Sequence, residues 1–338
     1  MRHLTMVEAL REALREEMRR DERVFLIGED IGIPGGFGGA FTVTLGLAEE
    51  FGHERVLDTP VSEKGFIGAA VGAALMGLRP VTDVQYSDFL FCAMDEIVNQ
   101  AAKMAYMSGG QVKVPMVLRA PVGATTRGAQ HAQSPEGFFI HVPGWKVAVP
   151  ATAYDGMGLL KTAIRDDSPV LIFEHKLLYG SKGPRAEKGA ISADSDIPDE
   201  EYTIPFGVAD VKREGSDVTV VAILLMLHRA LAAAEELAEE GLSVEVIDPR
   251  TLVPFDLETV LKSLEKSGRL VIVEEDTKRG GWGAEVAASV AEEGLYLLDA
   301  PIKRVAAYDV PIPFAPVMEE FVVPSQSRIA QAIRELVA

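Results

Sequence analysis

Short apolar runs alternate along this chain with stretches whose apolar residues recur at helical spacing. Thr5 and Glu8 form a Thr-x-x-Glu box, in which each side chain can satisfy a free backbone N–H of the first turn. They predict a helix running to about Arg20. VFLIG at 24–28 then reads as a buried strand, and residues 80–85, 115–120, 146–150 and 170–173 repeat that pattern. Helices are predicted over 63–77, 90–107 and 154–165. Farther on, strands at 218–223, 243–247 and 270–274 alternate with helices near 227–241, 256–267, 282–293 and 325–337. Such alternation predicts an α/β fold with mostly parallel sheets covered by helices.

The segment 181–205 (SKGPRAEKGAISADSDIPDEEYTIP) is polar and poor in large apolar residues. It reads as a linker or long surface loop, giving one α/β domain over 1–180 and a second over 206–338. Charge differs between the halves: 17 basic and 22 acidic residues lie in 1–180, against 16 and 29 in 181–338. The whole chain of 338 residues carries a net charge of -18. That balance repels nucleic acid and anionic membrane surfaces. A single cysteine, Cys92, excludes an intrachain disulfide and a cysteine-based metal cluster. No apolar run reaches the length of a membrane span, and no apolar signal core follows the amino terminus. A cytoplasmic protein is expected.

Several segments offer chemistry. GIPGGFGG at 32–39 follows a strand but matches neither phosphate-loop pattern, so a flexible loop is expected. Ser62 is a candidate helix N-cap, with Glu63 in the first turn and Gly65, Gly68, Ala69, Ala70, Gly72, Ala73, Ala74 and Gly77 behind it. Small residues permit close approach of another backbone or a ligand. Two readings stand: tight helix packing, or a carboxylate aimed at a ligand by a rigid helix start. His131 lies in AQHAQSPEGFF (129–139), a loop without apolar periodicity, which suits a functional loop. Gln85 and the aromatics Phe89 and Phe91 mark a strand-to-helix junction, for which core packing is the simple reading. Glu274 and Glu275, followed by glycines, read as a solvated turn.

These residues carry a resemblance. The chain resembles the beta subunits of the thiamine-diphosphate-dependent decarboxylase component of 2-oxoacid dehydrogenase complexes, which act on pyruvate, branched-chain 2-oxo acids or acetoin. It rests on VFLIGED (24–30), RVLDTPVSEKGFIGAAVGAALMGLRPV (55–81), DEIVNQAAKMAYMSGG (95–110), GAQHAQSPEGFFIHVPGWKVAVP (128–150), AIRDDSPVLIFEHKLLYG (163–180), VEVIDPRTLVPFD (244–256) and DVPIPFAP (309–316). The resemblance implies a transketolase-like pyrimidine-binding domain and a transketolase-like C-terminal domain.

It also implies oxidative decarboxylation of a 2-oxo acid and reductive acylation of a lipoyl group. Glu63 would bond a ring nitrogen of thiamine diphosphate, Phe89 would pack on the aminopyrimidine, and Gln85 would line that pocket. His131 would assist acyl transfer. Carbonyls of Met116, Ala163, Ile164, Asp166 and Ser168 match the positions of a structural potassium ion in some members. The chain has no G-D-G motif, so an alpha subunit would bring Mg2+ and the diphosphate site in an alpha2beta2 heterotetramer. The acidic second half would dock the basic subunit-binding domain of the lipoyl acyltransferase. An acetoin dehydrogenase beta subunit, a split transketolase-type subunit and a non-catalytic assembly subunit are the alternatives. One departure stands out: relatives carry a Tyr-Gly or Tyr-Ser pair where this chain reads AILLML (222–227), which bears on local packing or on a docking surface.

Overall fold

The computed structural model describes residues 1–182 and 186–338; part of the expected linker, 183–185, therefore lies outside the described residues. The first half runs β1 (Arg2–Leu4), α1 (Met6–Arg20), β2 (Val24–Gly28), α2 (Leu47–Phe51), β3 (Val56–Asp58), α3 (Glu63–Leu75) and β4 (Arg79–Asp83). It continues through α4 (Met104–Met107), β5 (Val117–Val122), α5 (Glu136–Ile140), β6 (Lys146–Ala148), α6 (Ala153–Arg165) and β7 (Val170–His175). Then come β8 (Ser195–Ile197), β9 (Asp210–Arg213), β10 (Val218–Ala222), α7 (Leu224–Ala238), β11 (Val244–Asp248), β12 (Thr251–Val253) and α8 (Leu257–Ser267). The chain closes with β13 (Leu270–Thr277), α9 (Trp282–Gly294), β14 (Lys303–Ala307), α10 (Pro316–Val322) and α11 (Gln326–Val337).

The strands form a seven-stranded sheet, β12-β6-β7-β5-β4-β2-β3, and a five-stranded sheet, β14-β13-β10-β11-β9. All pairings inside the larger sheet are parallel except that of β12, and in the smaller sheet only β9 runs antiparallel. Helices cover both faces, so the central strands β2, β5, β7, β10 and β11 are buried along their whole length. The Thr5–Glu8 box opens α1, with Glu8 N–H donating to Thr5 Oγ1 at 3.3 Å and Thr5 N–H to Glu8 Oε2 at 2.9 Å.

The two halves interlock. β12 comes from the C-terminal half yet pairs with β6 on the edge of the larger sheet. β8, inside the expected linker, pairs with β1. Asp155 on α6 binds Arg250 and Lys212 across the same boundary, and both cations also reach Asp210.

The helix expected over 90–107 is broken into a 3-10 turn at Ser87–Ala93, a wider turn at Asp95–Ala101 and the short α4. The Ile97 carbonyl accepts both Ala102 N–H, five residues on, and the indole N–H of Trp145 at 3.0 Å. A side chain inserted into the ladder in this way unwinds it, and periodicity alone cannot reveal that. The solvated turn expected at Glu274–Glu275 is corrected: β13 continues through Thr277, and these two carboxylates are 0% and 8% exposed. Glu274 accepts from Gly283 N–H at 2.9 Å and pairs with Arg304, which holds it inside. The AILLML run ends β10 and starts α7 three residues earlier than expected, and all six residues are buried. It is core, not a docking surface.

Candidate active site

Parallel strands end in loops on one edge of the sheet, where open α/β sheets bind ligands. Four neighbours, β3, β2, β4 and β5, deliver Glu63, Glu29, Gln85 with Phe89, and His131 to that edge. Glu63 is the first residue of α3 and half-buried. Ser62 precedes the helix, as expected, but its side chain makes no capping bond. The Ser62 N–H is instead directed at the Glu29 carboxylate.

Glu29 was not singled out from the sequence. It is buried, one of its oxygens has no partner, and its carboxyl is pushed up to about 7 by burial and then by the charge of Glu63. A carboxylate directly after a parallel strand was the signal available in VFLIGED. Gln85 braces the site from below: its amide donates to the Glu29 carbonyl and accepts from Ala40 N–H at 2.9 Å. The glycine loop 32–39 is thus tied to the junction after β4 through Ala40, just beyond it.

Three rings continue the site. Tyr86 meets Phe89 edge-on at 5.6 Å, and His131 stands edge-on to both, at 5.0 Å from Tyr86 and 5.4 Å from Phe89. Glu63, Gln85, Phe89 and His131, predicted separately, are therefore brought onto one strip, with Glu29 and Tyr86 joining them. Gln133 fixes the far end of the His131 loop, its amide donating to Asp88 at 2.8 Å and its carbonyl accepting from Gly123 N–H at 3.1 Å. Gly123 has φ +96°, and a Cβ there would lie 2.0 Å from His175 Nε2, so only glycine lets the loop turn.

The potassium candidates lie elsewhere, at the opposite end of β5 and β7. Met116 carbonyl accepts from Val170 N–H at 2.9 Å, and Ala163 carbonyl from Asp166 N–H at 3.3 Å. The Arg79 guanidinium donates to the Ile164 and Asp166 carbonyls at 3.0 and 2.8 Å. A carbonyl oxygen has two lone pairs, so the Ile164 and Asp166 carbonyls that serve the Arg79 guanidinium each keep a further acceptor site. Among the described residues no group of three or more His, Cys, Asp or Glu side chains could hold a metal ion. No helix among them is long and apolar enough to cross a membrane.

Residues 2–182 match the family model described as transketolase, pyrimidine binding domain, and residues 207–329 match transketolase, C-terminal domain. A 2-oxoisovalerate dehydrogenase subunit beta of Bacillus subtilis is 45% identical over 98% of this chain and 98% of its own length. A pyruvate dehydrogenase E1 component subunit beta of Rickettsia felis is 46% identical over 98% of each chain. The chain belongs to the E1 beta-subunit family of 2-oxoacid dehydrogenases. An acetoin:2,6-dichlorophenolindophenol oxidoreductase subunit beta of Bacillus subtilis is 44% identical over 99% of this chain and 97% of its own. Among solved structures, a split-gene transketolase, an inactive beta4 tetramer, superposes with TM-score 0.78 over 99% of this chain and 98% of its own, at 24% identity; it shares the fold. Membership of this beta-subunit family makes the chain part of an enzyme that depends on thiamine diphosphate and works with an alpha subunit.

Proposed function

We propose that this chain supplies the pyrimidine half of a shared active site for oxidative decarboxylation of a 2-oxo acid, with transfer of the acyl group to a lipoyl carrier. The observation that carries it is the placement of Glu63 beside the buried Glu29, on the same strip as Phe89 and His131. Thiamine diphosphate, when bound, supplies an electron-poor ring that takes up the electron pair released as carbon dioxide leaves.

Glu63 presents a carboxylate at a rigid helix start, where it can accept a hydrogen bond from a protonated ring nitrogen. A charge-assisted bond of that kind holds the proton on the nitrogen. Glu29, with a carboxyl near 7, holds a proton more readily than an ordinary carboxylate, and its unpartnered oxygen is a further polar contact for the ring. Phe89 offers a flat apolar face and excludes water. Gln85, with both ends of its amide engaged, sets the depth of the pocket. His131 presents an imidazole, a ring with one donor and one acceptor nitrogen, and serves the transfer step.

The chain carries no diphosphate loop of its own, so the alpha subunit brings the diphosphate and Mg2+ in an alpha2beta2 assembly. The acidic C-terminal half attracts the basic subunit-binding domain of the lipoyl acyltransferase. The carbonyls of Met116, Ala163, Ile164, Asp166 and Ser168 would hold a potassium ion, which would add a fixed positive charge there. Of three relatives at 44–46% identity, two are named for 2-oxo acids, 2-oxoisovalerate and pyruvate, and one for the hydroxy ketone acetoin, which supports a 2-oxo acid as the substrate class. The test is reconstitution with the alpha-type partner and assay of decarboxylation with wild type and Glu63→Gln. Near-full activity of the variant would overturn the reading.

A further inference from the structure

Among the described residues, the stretch 126–132, which carries His131, is tied to the rest of the chain by a few polar bonds and by the packing of Ala132 in the core. Thr126 N–H donates to Glu319 at 2.7 Å, and Arg127 pairs with Glu187 at 2.5 Å. His131 N–H turns back onto Gly128 of the same loop. The cross-link at His131 itself is the ammonium of Lys176, which donates to the His131 carbonyl.

Lys176 follows β7 and is 1% exposed. Its ammonium also lies over the Tyr86 ring, 5.0 Å from the centroid, and that ring meets the His131 imidazole edge-on. No carboxylate among the described residues forms an ion pair with it. Burial lowers its pKa to about 8. A buried ammonium is costly; it contacts one loop carbonyl and one ring face, while the charges of Asp88, Glu275 and Glu187 offset part of the cost from farther off. The turn that presents it is itself fixed, because His175 Nδ1 accepts from Leu177 N–H at 3.1 Å.

We propose that Lys176 is a positioning residue for His131: anchored at the end of β7, its ammonium fixes the His131 carbonyl and the Tyr86 ring, and so sets where the imidazole stands. This rests on the reading that His131 serves acyl transfer. Proximity arguments give the scale, since a displacement of about 1 Å at a reacting group can cost about 10²-fold.

The experiment uses the assembly reconstituted with its alpha-type partner, a lipoylated carrier domain as acceptor, and the variants Lys176→Met, Lys176→Gln and Lys176→Arg. For Met and Gln, kcat of acyl transfer should fall about 10²-fold while KM for the carrier stays within about twofold. Amide exchange over 126–132 should quicken by about tenfold. Arg, which keeps the charge and a donor, should restore most of both. Unchanged kcat and exchange in Met and Gln would overturn the proposal. So would a loss shared equally by kcat and KM, or an Arg variant no better than Met. His131→Ala separates the two readings: intact transfer there removes the role of His131, while the exchange measurement still decides whether Lys176 holds the loop.

Discussion

Glu275 on β13 and His175 at the end of β7 meet at 2.9 Å, and so join the two sheets directly behind the His131 loop. The Leu177 N–H occupies Nδ1, which leaves Nε2 to donate to the carboxylate. The second oxygen of Glu275 accepts from Ala124 N–H at 2.6 Å. Burial pushes this carboxyl up, but His175 and the Ala124 N–H outweigh it and hold the group below the usual carboxylate value. Its folded pKa is depressed, so its contribution to stability is present above the unfolded value of about 4.5 and is lost as pH falls through the lower folded value. Losing the carboxylate leaves the buried N–H donors of His175 and Ala124 without an acceptor, at about 1–3 kcal/mol each. Glu275→Ala should lower stability by that order in denaturant titration at pH 7, with a smaller difference from wild type below pH 4. An equal difference at both pH values would contradict the assignment.

Glu63→Gln should lower decarboxylation by about 10²–10⁴-fold, the range ordinarily attributed to one positioned proton-transfer group. The same change removes a negative charge from beside Glu29. Carbon-13 NMR of the glutamate carboxyls should then show Glu29 titrating below its value of about 7 in the wild type, though still above an ordinary glutamate because burial is the larger cause. An unmoved Glu29 would mean that the two carboxylates do not sense each other.

His131→Ala should separate the two halves of the reaction. Dye-linked decarboxylation should persist at a substantial fraction of wild type, and transfer to a lipoylated domain should fall about 10²-fold or more. Equal losses in both assays would assign His131 to the first half instead.

Potassium should raise the melting temperature by a few degrees at about a hundredfold excess over its Kd, relative to choline at equal ionic strength. Identical melting in both salts would leave Arg79 as the sole cation serving the Ile164 and Asp166 carbonyls.

Much of the fold is legible from alternation alone, because strands buried on both faces read as apolar runs: β2, β5, β7, β10 and β11 all lie close to where the pattern puts them. Glu63, Gln85, Phe89 and His131 come together through the resemblance; by pattern alone, 85–91 reads as core packing and Glu63 as either helix packing or a carboxylate aimed at a ligand. What escaped were residues whose role depends on contacts distant in sequence. Lys176 sits in an apolar stretch and shows no pattern; its meaning lies in a carbonyl 45 residues away. Glu274 and Glu275 looked solvated because adjacent carboxylates usually are, and their partners Arg304 and His175 lie on other strands. The indole of Trp145, which breaks the helix expected after residue 90, is equally silent in the sequence.

The return of β12 to the larger sheet has a consequence for divisibility. A chain cut within 181–205 would part a strand pairing and a charge cluster that cross it. The N-terminal piece would keep β6 as a bare edge, with the backbone groups that now pair with Thr251 and Val253 left open to any other strand. The C-terminal piece would carry Arg250 and Lys212 without Asp155, the buried carboxylate they share. Two families of domain meet in this sequence, and each half carries backbone or charged groups that the other half satisfies.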